Sequence, residues 1–358
     1  MKVGEDAVGE AGWAAATALS LLVAAAARGE ERRSARVVLV APLVALQLAW
    51  PLRFDRYDGT EFLARAVVAT NFAWWANTKL LLLCRGAGPL AEADLSLGGF
   101  AARLILPAHP RAVAEGDRRR LVVRLACGAA VKVALLRVLV KALVAYPGMP
   151  QPLMDVLYAF GIYMFVGSGM DGSSAVLAAF GCSLAPHFDL PFLSTSLREF
   201  WGRRWNLYAG GLLKQSVFEP VMQADALLHN RRLRQAVAVC LTFIASGLAH
   251  EAVIAYILGP EACLGLELAF FAAMGPLCVL EGWVARWNRI TGKVEVPWLL
   301  RIAYTWTILY TLSPLFLEGF KIWGLERKTV NAFARLFGFR ERMPAIAWTA
   351  AGSTVPDL

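Results

Sequence analysis

One histidine stands inside an apolar run long enough to cross a membrane: His250, in VAVCLTFIASGLAHEAVIAYI. An ionisable side chain kept at that depth is expensive and points to function. Thr242, Ser246 and His250 recur at i, i+4 and i+8 and so share one helix face, while Glu251 points elsewhere. A neutral imidazole there could take a proton from a hydroxyl, relay protons, or join two helices by a hydrogen bond. The other histidines read differently. His229 stands beside Asn230, Arg231 and Arg232 as a solvated loop residue, and His109 lies between Pro107 and Pro110 as a turn residue. His187 suits an interfacial cap.

The second chemical stretch is 186–206, PHFDLPFLSTSLREFWGRRWN, dense in aromatic and charged side chains. Ser196 followed by Glu199 has the spacing of a capping box, which predicts a helix from Leu197. A continuous helix would put Glu199, Arg203 and Asn206 on one face and Trp201, Trp205 and Tyr208 on another. That pairing suits a membrane–water boundary. The Asn206 amide could donate to a developing oxyanion or serve as a local cap. Trp201 and Trp205 could be membrane anchors.

These two pieces need a scaffold, and the composition says which kind. The chain has 358 residues, 58% of them hydrophobic, against roughly 45–50% in soluble domains. Eight apolar segments are expected to span: 12–27, 36–52, 62–84, 121–146, 153–181, 236–258, 263–285 and 298–320. The expectation is an all-α polytopic protein of about eight transmembrane helices, forming one domain over 1–358, with 236–258 carrying His250. Lys132 stands near the middle of 121–146, so that segment either lines something polar or does not fully span. Asp171, in GSGMDGSS, is expected to mark a break or re-entrant turn.

The net charge of +9 is not an argument for nucleic acid, because the basic residues fall between the apolar runs. Segments 28–36, 85–120, 182–235 and 286–297 hold most of the Arg and Lys, which places 186–206 on the cytosolic side. Such a face attracts anionic headgroups and phosphorylated substrates. With eight spans the tail 321–358 falls on the opposite side although it is also basic. Either one span is miscounted or the tail lies along a membrane surface, for which Trp323, Phe333 and Phe337 among its charges are suited. The first apolar run follows Glu5, Asp6 and Glu10, so a cleaved signal peptide is not expected. The six cysteines show neither a metal-ligand spacing nor a disulfide pattern, and no GxSxG, P-loop or dinucleotide fingerprint is present.

The string PFLSTSLREFWGRRWN, followed about 44 residues later by the His of GLAHE, resembles the plant wax synthase-like branch of the membrane-bound O-acyltransferases (MBOAT). The resemblance implies an MBOAT-like helical fold in the endoplasmic reticulum membrane and transfer of a fatty acyl group from acyl-CoA to a long-chain alcohol, giving a wax ester. It implies no bound cofactor and no metal; fatty acyl-CoA is the co-substrate, and the partners are membrane lipids and a membrane-dissolved lipid alcohol. His250 takes the position of the catalytic base and Asn206 that of the second signature residue. Trp201, Arg203, Arg204 and Trp205 fall in the motif as substrate-binding candidates, with Lys214 a further candidate for CoA phosphates. A sterol or other lipid hydroxyl is an alternative acceptor. A transporter with His250 as proton relay, or a non-catalytic lipid binder, is the alternative of a different class.

Overall fold

The computed structural model describes residues 2–56, 61–92, 94–108, 110–146, 148–224, 229–291 and 296–339. His109, Lys293, Arg340 and Arg342 lie outside them. The chain runs α1 (Lys2–Ala26), α2 (Arg33–Ala49), α3 (Glu61–Val68), a π-helical segment Ala69–Ala76, α4 (Asn77–Cys84) and α5 (Leu97–Ile105). Next come β1 (Pro110–Ala112), the long α6 (Glu115–Ala145) and α7 (Gln151–Ala179), and β2 (Cys182–Leu184). Short pieces follow: α8 (Leu197–Glu199), a π segment Phe200–Arg204, α9 (Leu207–Leu213), a π segment Lys214–Phe218 and α10 (Glu219–Gln223). Three long helices, α11 (Arg231–Leu258), α12 (Leu266–Thr291) and α13 (Trp298–Ile322), and then α14 (Leu325–Leu336) complete it.

Among the described residues, five helices are long and apolar enough to cross a membrane: Gly12–Gly29, Arg33–Arg53, Gln151–Ala179, Arg231–Leu258 and Leu266–Asn288. The expected count of eight is therefore not reached by this measure. The other three segments are helical but less apolar or less regular. The 62–84 segment is split by its π turn, α6 carries Arg124, Lys132, Arg137 and Lys141, and α13 dilutes its Leu and Ile with Thr, Tyr and Arg301. The one departure from an all-helical chain among the described residues is a small antiparallel ribbon, Pro110↔Leu184 to Ala112↔Cys182, that ties the start of α6 to the end of α7.

The α6–α7 hairpin answers for the two charged oddities. α7 runs unbroken through Asp171, so the expected break is absent. Asp171 instead pairs with Lys132 across the hairpin, which partners both charges at a depth where neither could stand alone. Close approach there uses Gly167 and Gly128, which face the Lys132 stem and the Asp171 carboxylate. The tail folds back onto this hairpin: Phe333, Ala334, Phe337 and Phe339 pack on Leu136 and Val140 of α6. Lys321 pairs with Asp155 of α7 at 3.1 Å.

The α11–α12 pair holds His250. A methyl group at Gly247 would lie 2.8 Å from the Leu268 backbone, so only glycine allows this crossing. Phe270, Phe271, Met274 and Cys278 of α12 pack with Leu197, Phe200 and Leu309 into one apolar cluster, edged by Trp201 and Trp205. That cluster seats the 186–206 stretch against α12.

Candidate active site

Ser196 begins the motif as its spacing predicts, its Oγ accepting the Glu199 N–H at 2.9 Å. Glu199 reaches back one residue further than in a regular capping box: Oε2 accepts both the backbone N–H and the hydroxyl of Thr195 at 2.8 Å. Glu281 of α12 covers the remaining amides, accepting Leu197 N–H at 2.9 Å and Arg198 N–H at 3.0 Å. A buried helix start with four orphan donors needs such partners.

The helix then stops short of Asn206. After the π segment Phe200–Arg204, Trp205 is extended (φ −104°, ψ 127°) and Asn206 is left-handed (φ 41°). Asparagine is among the few non-glycine residues that tolerate this region. The single-face arrangement of Glu199, Arg203 and Asn206 therefore does not form. Glu199 binds Arg204 instead, at 2.8 Å from Oε1, and Asn206 starts a new helix, its Oδ1 accepting Ala209 N–H at 3.3 Å. Desolvation pushes the Glu199 carboxyl upward, but the Thr195 hydrogen bonds and Arg204 outweigh it and hold it down at about 2.

The break turns the motif toward a cavity of about 480 Å³, within the size range of small-molecule sites. Thr242, Ser246 and His250 line it from α11, as their spacing predicts, and Asn206, Trp201 and Trp205 line it from the motif. Trp74, Phe243 and Phe271 supply further aromatic wall. Each π segment lends it a residue: Trp74 from the first, Trp201 from the second, Lys214 and Phe218 from the third. Such insertions recur at functional sites because they re-aim side chains.

His250 Nδ1 lies 2.7 Å from the Ser246 carbonyl oxygen. A carbonyl only accepts, so Nδ1 carries the proton and Nε2 is left with its lone pair. The ring is stacked on Phe271 at 4.5 Å and meets the edge of Trp74 at 5.1 Å and Phe316 at 5.8 Å. Glu251 points away, as expected, and accepts Leu268 N–H at 3.3 Å.

The charged residues of the motif divide. Arg203 is exposed and outside the cavity lining. Arg204 is committed to Glu199 and to the carbonyls of Asp189 and Leu190. Arg198 and Lys214 are the basic residues on the cavity wall, and Lys214 also stands 3.7 Å from Glu219. His229 is exposed in its loop.

His187 is not a cap at a boundary: its ring is 2% exposed, and its Nε2 donates to Pro107 O at 2.6 Å. Lys79 is a second buried polar group that motif spacing does not single out. Its ammonium is fully buried and donates at 2.8 Å to three carbonyls, of Arg103, Leu104 and Leu106, closing the end of α5. It lies over the Tyr208 ring, 5.3 Å from the centroid. A lysine ahead of four leucines in NTKLLLLC was the available signal.

Fold and cavity together define an α-helical integral membrane protein whose apolar, aromatic-walled chamber holds an imidazole with one free ring nitrogen. Residues 184–273, which include both Asn206 and His250, match the Membrane bound O-acyl transferase family. The chain is 30% identical over 287 residues to the acyl-CoA–sterol O-acyltransferase 1 of Arabidopsis thaliana, covering 76% of this chain and 80% of that one. It is 28% identical over 331 residues to a long-chain-alcohol O-fatty-acyltransferase of Simmondsia chinensis, covering 87% and 90%. A probable long-chain-alcohol O-fatty-acyltransferase 9 of Arabidopsis thaliana is 43% identical over 79 residues, 22% of this chain and 23% of that one. The chain belongs to the membrane-bound O-acyltransferase family, in its plant wax synthase-like branch, and is an O-acyltransferase.

Proposed function

We propose that the protein transfers a fatty acyl group from acyl-CoA to the hydroxyl of a long-chain alcohol dissolved in the membrane, releasing a wax ester and CoA. The observation that carries this is the free Nε2 of His250, held in one cavity with the Asn206 amide. His250 is the general base: Nε2 takes the hydroxyl proton as the alcohol oxygen bonds to the thioester carbonyl carbon. Such assistance is worth on the order of 10²–10⁴-fold. Asn206 donates an amide N–H to the oxyanion of the tetrahedral intermediate. Collapse breaks the carbon–sulfur bond, and the imidazolium returns its proton to the departing thiolate. The thiol's ordinary pKa of about 8.5 makes it a good leaving group without a strong acid.

The aromatic wall, with Trp201 and Trp205 in it, receives the acyl chain and the alcohol. Arg198 and Lys214, on the same wall, meet the CoA phosphates. Arg203 serves as a more distant electrostatic contact, and Arg204 acts through Glu199 on the shape of the loop. The endoplasmic reticulum membrane, with the motif facing the cytosol, gives acyl-CoA and lipid alcohol access from opposite phases. A sterol acceptor is the second reading, favoured by the 30% identity to the Arabidopsis sterol acyltransferase.

The test is expression in yeast devoid of neutral-lipid synthesis, fed hexadecanol or a sterol. Wax ester from hexadecanol supports the first reading and sterol ester the second. Neither ester, with the protein confirmed in the membrane, refutes both.

A further inference from the structure

The helix that Asn206 starts continues from Leu207 through the third π segment to Gln223, and it carries two adjacent glycines, Gly210 and Gly211. Glycine inside a helix is destabilising relative to alanine, so each such position needs a reason. The two usual reasons fail here. Both residues have helical backbone, and neither has a positive φ. Neither marks a tight crossing of the kind made at Gly247. Outside its own helix, a methyl group at Gly210 would have the Trp201 carbonyl oxygen at 3.8 Å as its nearest neighbour, and one at Gly211 would meet nothing within 4 Å. Both glycines are half-buried and both line the cavity.

Their register ties them to the two ends of the site. Gly210 N–H donates to the Asn206 carbonyl at 3.0 Å, and Lys214 N–H donates to the carbonyls of Gly210 and Gly211. Asn206, Gly210 and Lys214 thus recur at i, i+4 and i+8 on one helix face, and all three line the cavity. At a rise of 1.5 Å per residue, Asn206 and Lys214 stand about 12 Å apart along the axis, with the glycine pair between them. The cavity also holds an unused polar group. Ser246 is 7% exposed and lines the α11 wall. Among the described residues its hydroxyl makes no hydrogen bond, whereas the Thr242 hydroxyl donates to the Ala238 carbonyl at 2.6 Å. A buried hydroxyl left free points to a ligand that supplies its partner.

We propose that Gly210 and Gly211 form the bed for the linear arm of acyl-CoA, the chain that joins the thioester to the phosphates. This rests on the acyl-CoA reading, with the reacting carbonyl at Asn206 and the phosphates at Lys214. The arm is thin and carries amides. The missing side chains let it lie against the helix backbone, and Ser246 has a hydroxyl to donate to an amide carbonyl of the arm. A side chain at either glycine would occupy the space that the arm needs.

The test is ester formation by purified protein in detergent, from palmitoyl-CoA and hexadecanol. Gly211→Leu should raise KM for palmitoyl-CoA about tenfold, with KM for hexadecanol little changed. Gly211→Ala should raise KM for palmitoyl-CoA about threefold while its melting temperature rises by about 2 °C, because the helix gains and the ligand loses. It stands in for the leucine variant if that one does not fold. Gly169→Ala, at an exposed position of α7, should show a similar thermal gain with KM unchanged. Palmitoyl-N-acetylcysteamine, a thioester lacking the phosphates and most of the arm, is followed as donor or as competitor of palmitoyl-CoA. It should bind wild type and Gly211→Leu equally. An unchanged KM for palmitoyl-CoA in Gly211→Leu overturns the proposal, and so does a lower melting temperature in Gly211→Ala, which would assign the glycine to packing. Equal loss with the truncated thioester also overturns it and places the acyl chain against the glycines. Wild-type protein that forms no ester from palmitoyl-CoA would instead refute the acyl-CoA reading itself.

Discussion

Glu199 fixes the turn that delivers Asn206, and its removal has a calculable cost. The carboxylate accepts two hydrogen bonds from Thr195 and binds Arg204, each at 2.8 Å. Held at about 2 rather than at its ordinary 4.5, it represents about 3 kcal/mol of preference for the charged, bonded form. Its side chain is 23% exposed, and solvent screening discounts this to about 2 kcal/mol. Because the folded-state value is the lower one, the stabilisation is complete above pH 4.5 and fades as pH falls toward 2. Glu199→Gln should therefore lower the melting temperature of detergent-solubilised protein by several degrees, about 2 °C per kcal/mol, at pH 7. The gap between wild type and variant should hold from pH 7 to 5 and narrow below pH 4. Activity should fall with it, since Arg204 loses the partner that holds the turn. A variant as stable as wild type at pH 7, or a gap that widens on acidification, would refute the reasoning.

Lys79→Met strips the donor from three carbonyls at the end of α5 and should cost about 1–3 kcal/mol, seen as an early unfolding transition by intrinsic tryptophan fluorescence. Lys132→Leu and Asp171→Leu should each destabilise by about 1–2 kcal/mol, the buried-pair cost discounted for a partner about a quarter exposed. The double variant should recover most of that loss, a non-additivity read from a thermal double-mutant cycle. Arg198→Ala and Lys214→Ala should each raise KM for acyl-CoA about threefold at unchanged kcat, with the effect shrinking in high salt.

What was legible in the chain was what local spacing encodes. The i, i+4, i+8 series put Thr242, Ser246 and His250 on one cavity wall, and the Ser196–Glu199 spacing located a helix start. The i+7 extension to Asn206 failed because it assumed an unbroken helix. The π segment and the left-handed Asn206 reset the direction of the chain, and the Trp-Asn pair alone does not announce either. Partners distant in sequence were less visible still. Lys132 and Asp171, 39 positions apart, each read as an anomaly until the hairpin joined them. Lys79 and His187 bind main-chain carbonyls, which leave no side-chain signature. Composition is likewise blind to what partners two of the α6 charges, Asp171 for Lys132 and the Phe339 ring for Arg137.

The most direct test of the account is the initial rate of ester formation by purified wild type and His250→Ala in detergent, with saturating palmitoyl-CoA and hexadecanol. The account predicts a loss on the order of 10²–10⁴-fold in kcat, with the melting temperature and the KM for palmitoyl-CoA close to wild type. A folded His250→Ala protein that makes ester at the wild-type rate would contradict it.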